Sequence, residues 1–462
     1  MEQSIIFDLE LIKRYDRSGP RYTSYPTAVQ FHDGFGESEY RDVARQTNSE
    51  RPQRPLSLYF HIPFCDTVCF YCGCNKIATK DRNKARPYLE RLFRELALQS
   101  ELFDDSRRVD QLHWGGGTPT FISHEQMTAL MAQTRRYFSL HDDDRGEYSI
   151  EIDPREIQAE TVSLLRELGF NRMSLGVQDF DPLVQKAVNR IQSEEKTFDV
   201  MAEARRNGFR SLSVDLIYGL PFQTVDSFER TLDKVIQAAP DRLSVFNYAH
   251  LPELFKPQRR IDAATLPAPG VKLDILQMVI ERLTRCGYIY IGMDHFARPD
   301  DELAVAQRQR TLYRNFQGYS THADCDLIGL GTTSIGKIGA TYSQNVKGID
   351  EYYRLVDDGH IPVFRGVQLD HDDVLRRDVI TRLICHFELN MQALGRHYGL
   401  DFADYFVAEL AELQIMQDDG LLIMDGECIR VQPRGRLLIR NICMVFDRYL
   451  RVPSDQRYSK VI

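Results

Sequence analysis

The chain has 462 residues, 43% of them hydrophobic and 27% charged. That is a globular composition; it excludes a fibre or a disordered chain and is too long for one ordinary core. Acidic residues outnumber basic ones by 67 to 58, for a net charge of −9. This argues against a general nucleic-acid binder and requires a local basic pocket for any anionic substrate. The opening MEQSIIFDLELIKRYD has no signal-peptide pattern, and no apolar run is long enough to cross a bilayer. The expectation is a cytoplasmic protein with no membrane or nucleic-acid partner. No long exposed apolar helix suggests an obligate dimer, so a monomer is expected.

In chain order, residues 1–55 are polar and irregular, with a turn-rich PRYTSYPTA at 20–28. Short runs rich in Val, Ile, Leu and aromatics follow at 58–62, 111–114, 148–152, 172–177, 212–218 and 242–248. Helical patterns separate them at 84–103, 124–138, 159–168, 194–207 and 226–238. Two of these end near glycine, at Leu168-Gly169 and Asn207-Gly208, where a C-terminal cap is expected.

Six strands alternating with helices predict βα units and a parallel sheet. Such a set fits a doubly wound sheet or part of a barrel. Polar residues or glycines end almost every run: Cys65, Gly115 to Gly117, Glu151 with Asp153, Gln178, Asp215, Asn247 with His250. Chemistry at the C-terminal ends of many strands favours the barrel, because a doubly wound sheet gathers its site at one switch point. The expected fold is an α/β incomplete (β/α)6 barrel with an N-terminal extension and a smaller, mainly helical C-terminal domain. The boundaries read are 1–55, an extension covering the site; 56–365, the barrel with its linking segment; and 366–462, the helical domain. Within the last, residues 402–442 read as helix, β-hairpin, helix.

Nine cysteines are an odd number, and four crowd into CDTVCFYCGC at 65–74. This is no secreted disulfide framework; in a reducing compartment it reads as metal-binding or catalytic. The spacing is C-x3-C-x2-C with Cys74 two residues further on. Thiolates suit iron–sulfur clusters or zinc. Structural zinc usually takes two separated pairs, whereas all four candidates here lie within ten residues. A [4Fe–4S] cluster on three of them would leave one iron open for catalysis. Spacing alone leaves both metals in play.

C-x3-C-x2-C directly after a first barrel strand resembles the signature of the radical SAM superfamily. Further motifs narrow it: PRYTSYPTA, YFHIPFCDTVCFYCGCNKI at 59–77, HWGGGTPT at 113–120, EIDPRE at 151–156, SLGVQDF at 174–180, DLIYGLP at 215–221, SVFNYAHLP at 244–252 and GMDHFARPDDELA at 292–304. As an ordered set they resemble the family of oxygen-independent coproporphyrinogen III oxidases. The resemblance runs from about residue 15 to RNICMVFDRYL near the C-terminus. A haem-chaperone-like paralogue, which binds haem without oxidase activity, is the alternative. Members of that group resemble a version lacking the extended PRYTSYPTA segment and the equivalent of Cys74, both present here.

The resemblance implies a [4Fe–4S] cluster on Cys65, Cys69 and Cys72, whose open iron binds SAM. It implies contacts from Tyr59, Gly116, Glu151 and Ile335 to that SAM. A second SAM is implied at Tyr71, Gly117, Thr118, Gln178, Arg190, Asp215 and Ala249. Cys74 matches a family cysteine that is not a cluster ligand; with Tyr59 it is a candidate catalytic residue, and packing is the bland reading. Gly116 and Gly117 have a physical reason of their own, since bare backbone meets polar ligands best where no side chain intervenes. Asp215 suits ribose hydroxyls and Arg190 a carboxylate. The implied reaction converts two propionates of coproporphyrinogen III to vinyl groups through a 5′-deoxyadenosyl radical, giving protoporphyrinogen IX. Arg21 and Arg298 are candidates for the substrate's propionates, by motif position only. The electron donor and acceptor are not legible in the sequence.

Overall fold

The computed structural model describes residues 5–451. They fall into two compact units. The larger contains Phe31–Val279 and Asp324–Gln368; the other takes the chain up to Gln30, Ile280–Ala323 and the stretch from Leu369.

The larger unit carries the six expected strands: β1 (Leu56–Ile62), β2 (Arg108–Gly116), β3 (Glu147–Ile152), β4 (Arg172–Gln178), β5 (Ser211–Tyr218) and β6 (Arg242–Asn247). Each pairs in parallel with the next. The connecting helices are α1 (Ala85–Ser100), α2 (His124–Tyr137), α3 (Ala159–Glu167), α4 (Glu194–Arg206) and α5 (Val225–Ala238). Their starts follow from capping chemistry. Ser123, Ser193 and Thr224 each accept a hydrogen bond from a first-turn N–H, satisfying a donor with no intrahelical partner. α3 and α4 do stop at the expected glycines, Gly169 and Gly208, both at positive φ.

Alternation builds the two faces of the sheet. On β4, Met173, Leu175 and Val177 are buried while Ser174, Gly176 and Gln178 are half-buried. β5 repeats this with Leu212, Val214 and Leu216 against Ser213 and Asp215. The apolar face packs under the helices. The single tryptophan, Trp114, is fully buried there, edge-on to Phe170 at 4.8 Å. Truncating it to alanine is of the kind that costs about 3–5 kcal/mol.

The free edge of β1 does not meet β6. Instead β7 (Asp326–Leu330) pairs with β1 in parallel, and β8 (Ile335–Ile338), β9 (Thr341–Asn345) and β10 (Val363–Gln368) continue antiparallel. The barrel is therefore incomplete, as expected, but its sheet is extended by four strands from residues 326–368. The start of β7 is locked by buried charge: Arg107 and Arg54 both pair with Asp326, at 2.6 and 3.1 Å. A further difference lies in the first 55 residues, where Glu37–Glu50 forms a 14-residue helix.

The second unit contains the helices His371–His386, Met391–Tyr398, Val407–Asp418 and Ile439–Val445. A β-hairpin of Leu422–Met424 and Cys428–Val431 lies between the last two, matching the helix, hairpin, helix reading. The N-terminal segment is tied to this unit. Tyr22 donates to Asp447 at 2.9 Å, Asn441 to the Tyr15 carbonyl at 2.8 Å, and Arg440 to the Pro20 carbonyl at 2.9 Å. Among the described residues no helix is long and apolar enough to cross a membrane.

Candidate active site

The cysteine loop leaves the C-terminal end of β1. Two backbone bonds dock the turn after β2 against it: Gly117 N–H to the Ile62 carbonyl at 2.9 Å, and Thr118 N–H to the Phe64 carbonyl at 2.8 Å. The approach demands glycine. A Cβ on Gly117 would sit 2.7 Å from the Phe64 oxygen and 3.0 Å from the Cys65 sulfur, and Gly116 has φ +118°. The loop and the strand ends enclose a cavity of about 230 Å³. Cys65, Cys69, Cys72 and Cys74 line it, together with Tyr71, Gly116, Gly117, Thr118, Glu151, Gln178, Arg190 and Asp215. Residues from five separate motifs, together with Arg190, thus converge on one space.

Register explains how. Gly329, Tyr59, His113 and Ser149 are successive partners across β7, β1, β2 and β3. The rings of Tyr59 and His113 stack at 5.8 Å, and the Tyr59 hydroxyl meets His61 Nδ1 at 3.2 Å. His113 contacts Ser149 Oγ at 2.6 Å and Glu151 at 3.4 Å. Glu151 also accepts the Gly116 N–H at 3.1 Å. Loss of solvation opposes its charge. The His113 ring, the Gly116 N–H and His61 together outweigh that and hold the carboxyl below the usual range. Ile335, at the start of β8, lies against Gly329, the partner of Tyr59; its carbonyl carbon is 2.9 Å from where a Gly329 Cβ would stand.

Opposite is a charged bracket. Arg190 donates to Asp153 at 3.0 Å and to the Gly176 carbonyl at 2.5 Å. Arg155 grips Asp153 at 2.6 and 2.9 Å. Both guanidiniums face the Cys69 sulfur, at 3.6 Å from Arg190 and 3.8 Å from Arg155. Asp215 accepts from Ser174 at 3.1 Å. Burial pushes its carboxyl up to about 6, with only partial relief from the Ser244 and Ser174 hydroxyls. Gln178 sits at φ +68°, where β4 and β5 lose register, and its Oε1 is buried without a partner; so is Arg190 Nε.

Tyr71 packs on an apolar cluster of Val184, Val188, Leu220, Tyr248 and Ile261, and its carbonyl accepts from Gln258 at 2.9 Å. Ala249 follows Tyr248 just past β6 and is half-buried. Cys74 is exposed, its N–H 3.4 Å from the Cys72 sulfur. Arg21 and Arg298 belong to the other unit; Arg21 pairs with Asp294 at 3.0 Å, and Arg298 lies 3.9 Å from Asp300.

The donor set fits a cluster. Three thiols from one loop line a common cavity, with positive charge facing the Cys69 sulfur to offset the negative charge of a thiolate-bound cluster. Among the described residues no three Cys, His, Asp or Glu side chains close tightly on one point. A cluster puts each thiolate on a different iron and takes a wider spacing than one ion. Gln178 Oε1 and Arg190 Nε are left as open polar atoms at the same cavity. His61, His113, Asp153 and Arg155 were not singled out as site residues from sequence. Period-two spacing on β1 and β2 could have flagged the histidines, but the Asp153 bracket depends on strands meeting in space.

Comparison with known proteins agrees. Residues 59–235 match the family model of the radical SAM superfamily, and 369–438 match the HemN C-terminal domain. The oxygen-independent coproporphyrinogen III oxidase of Pseudomonas aeruginosa is 55% identical over all of both chains. The chain belongs to the oxygen-independent coproporphyrinogen III oxidase family. The Escherichia coli relative of that name is 52% identical, covering 100% of this chain and 99% of its own, and the Synechocystis one is 45% identical over 99% of each. The solved coproporphyrinogen III oxidase of Escherichia coli, described as a radical SAM enzyme, superposes with a TM-score of 0.92. It has 51% identity and covers 96% of this chain and 100% of its own.

Proposed function

We propose that this chain is the enzyme that oxidatively decarboxylates two propionates of coproporphyrinogen III to vinyl groups without oxygen, giving protoporphyrinogen IX. The observation that carries the reading is the cavity itself: three thiols of a C-x3-C-x2-C loop facing a glycine turn and strand-end charges, in a chain of this family. When bound, the cluster would supply the electron that cleaves SAM to a carbon radical able to take a hydrogen atom from a propionate β-carbon; the substrate would then lose CO2 from the adjacent carbon and pass one electron to a separate acceptor, leaving the vinyl group.

Cys65, Cys69 and Cys72 hold the cluster in this reading, and the glycine turn leaves backbone groups free toward SAM. Glu151, kept ionised by His113 and the Gly116 N–H, accepts from the SAM ammonium. Tyr59 and Ile335 flank the same SAM from neighbouring strands. A second SAM takes Tyr71, Gly117, Thr118, Gln178, Arg190, Asp215 and Ala249. Arg190 offers its unused Nε–H to a carboxylate, and Asp215 accepts from hydroxyls. Cys74, exposed beside Cys72, is the thiol on the substrate side. Arg21 and Arg298 serve the propionates. The enclosing loop excludes water from a radical that would attack most nearby C–H bonds. The enzyme works as a cytoplasmic monomer with a separate electron donor and acceptor. Residues 1–55 cover the site, so a chain lacking residues 1–30 should lose turnover.

The test is an oxygen-free assay of reconstituted protein with coproporphyrinogen III, SAM, a reductant and cell extract. Loss of two carboxyl groups by mass, with 5′-deoxyadenosine formed, is expected. Bound haem without turnover would overturn the reading.

A further inference from the structure

The three sulfurs that the cluster needs each meet a donor from the protein, and the donors differ in charge. The Thr118 hydroxyl donates to Cys65 Sγ at 3.6 Å, and the Cys74 N–H donates to Cys72 Sγ at 3.4 Å. Both donors are neutral. Cys69 Sγ instead meets two guanidiniums, Arg190 at 3.6 Å and Arg155 at 3.8 Å. Arg190 is assigned above to the second SAM. Arg155 has no part in that reading, yet its side chain lines the same cavity.

Local sequence puts it there. Asp153 follows β3 and caps the turn Pro154–Glu156, its carboxylate accepting the Arg155 N–H at 3.1 Å. The turn folds the Arg155 side chain back onto the same carboxylate, which it grips through Nε at 2.9 Å and Nη2 at 2.6 Å. Arg190 reaches Asp153 as well, at 3.0 Å. Lys196 of α4 fixes the backbone, donating to the Arg155 carbonyl at 2.9 Å. Asp153 is buried and Arg155 half-buried. Two guanidiniums against one carboxylate leave a net positive charge at the Cys69 sulfur; the next carboxylates out, Asp66 and Glu156, share Arg82 instead.

We propose that Arg155 is a positioning residue that acts through Cys69 and raises the reduction potential of the cluster. Reduction places one more electron on the iron–sulfur group. A fixed cation beside a ligand sulfur favours that reduced form, and an N–H donated to the sulfur disperses its charge. A carboxylate bound at Arg190 would offset that cation, leaving Arg155 as the lasting one. The electron comes from a separate one-electron reductant; Arg155 sets how strong that reductant must be. The inference rests on the reading of Cys65, Cys69 and Cys72 as cluster ligands.

The test is a reductive titration of the anaerobically reconstituted, full-length protein followed by EPR, without SAM and with saturating SAM. Iron content and melting temperature check loading and fold. Arg155→Gln should shift the reduction equilibrium at least tenfold toward the oxidised cluster, about 59 mV for one electron. Arg155→Lys, which keeps the charge, should recover part of that shift. Asp153→Asn removes the opposing charge and should move the equilibrium at least threefold the other way. A loaded Arg155→Gln within twofold of wild type overturns the inference. So do shifts in the same direction for Arg155→Gln and Asp153→Asn, which would mark the pair as scaffolding. If the variants take up no cluster, wild type decides. With its arginine guanidiniums carrying the heavy nitrogen isotope, pulsed EPR of the reduced cluster should show nitrogen coupling, and none overturns the inference. Wild type that holds no [4Fe–4S] cluster sinks the cluster reading and the inference with it, whereas a titratable wild-type cluster beside unmoved variants sinks the inference alone.

Discussion

Two buried polar regions of the larger unit are built from the same residue types and differ in one respect. At the first, Glu95 of α1 is fully buried. It accepts from the Gly331 N–H at 2.8 Å, Tyr352 at 2.6 Å and Asn345 at 2.7 Å. Tyr88, two turns away, donates to the His61 carbonyl at 2.6 Å and accepts from the Thr332 N–H at 3.2 Å. Both carboxylate oxygens are used, and the knot ties α1 to the turn between β7 and β8. At the second, the cavity, Glu151, Asp153 and Asp215 are also partnered, yet Gln178 Oε1 and Arg190 Nε are buried and idle and the four cysteines line an open cavity. A closed network serves architecture; an open one is shaped for ligands.

The sharpest way to break this contrast is at the open site. Cys69→Ser should lose nearly all cluster iron and all measurable turnover, read by iron analysis and product formation, while the far-ultraviolet circular dichroism of the apoprotein stays unchanged. Gly117→Ala comes next. Its Cβ would meet the Phe64 carbonyl and the Cys65 sulfur, so turnover should fall by roughly tenfold to a hundredfold, as displacements of this size do. A fully active Gly117→Ala would mean that the turn's approach to the loop is not needed.

The closed site is tested through pH. Burial pushes the Glu95 carboxyl up to about 7, against the lowering effect of Tyr352, Gly331 and Asn345. The folded state therefore holds this proton more tightly than the unfolded one. The stability linked to Glu95 is present in full below the ordinary carboxylate pKa and is lost as pH rises through about 7, an effect of roughly 3 kcal/mol. Glu95→Gln should remove that part of the pH slope when its urea unfolding is compared with wild type. It should also cost about 1–3 kcal/mol near pH 5, because the new amide faces donors. Superimposable pH profiles would contradict the assignment. The smallest effect is expected at Arg298, which is 46% exposed and 3.9 Å from Asp300. Arg298→Ala should change the tetrapyrrole KM by about threefold at most, since exposed charge is well screened.

The same contrast explains what could be read in advance. The six parallel strands were legible because their buried faces carry aliphatic and aromatic residues in alternation, such as Met173, Leu175 and Val177 on β4. β9 was not. All five residues of TYSQN are buried, but they are polar because they serve bonds such as Asn345 to Glu95. The helix Glu37–Glu50 was missed because it buries only Tyr40, Ala44 and Thr47, too thin a stripe to stand out. The cysteine spacing announced the site, since one loop carries all four thiols. The Asp153, Arg155 and Arg190 bracket exists only once separate strands and turns are brought together.

The central claim is that this cavity directs hydrogen abstraction from a propionate side chain. The direct measurement uses coproporphyrinogen III deuterated at the propionate β-carbons, turned over anaerobically by the reconstituted protein. Deuterium recovered in 5′-deoxyadenosine, with CO2 released, is the predicted result. SAM cleavage that yields 5′-deoxyadenosine free of deuterium, with the propionates intact, would contradict it.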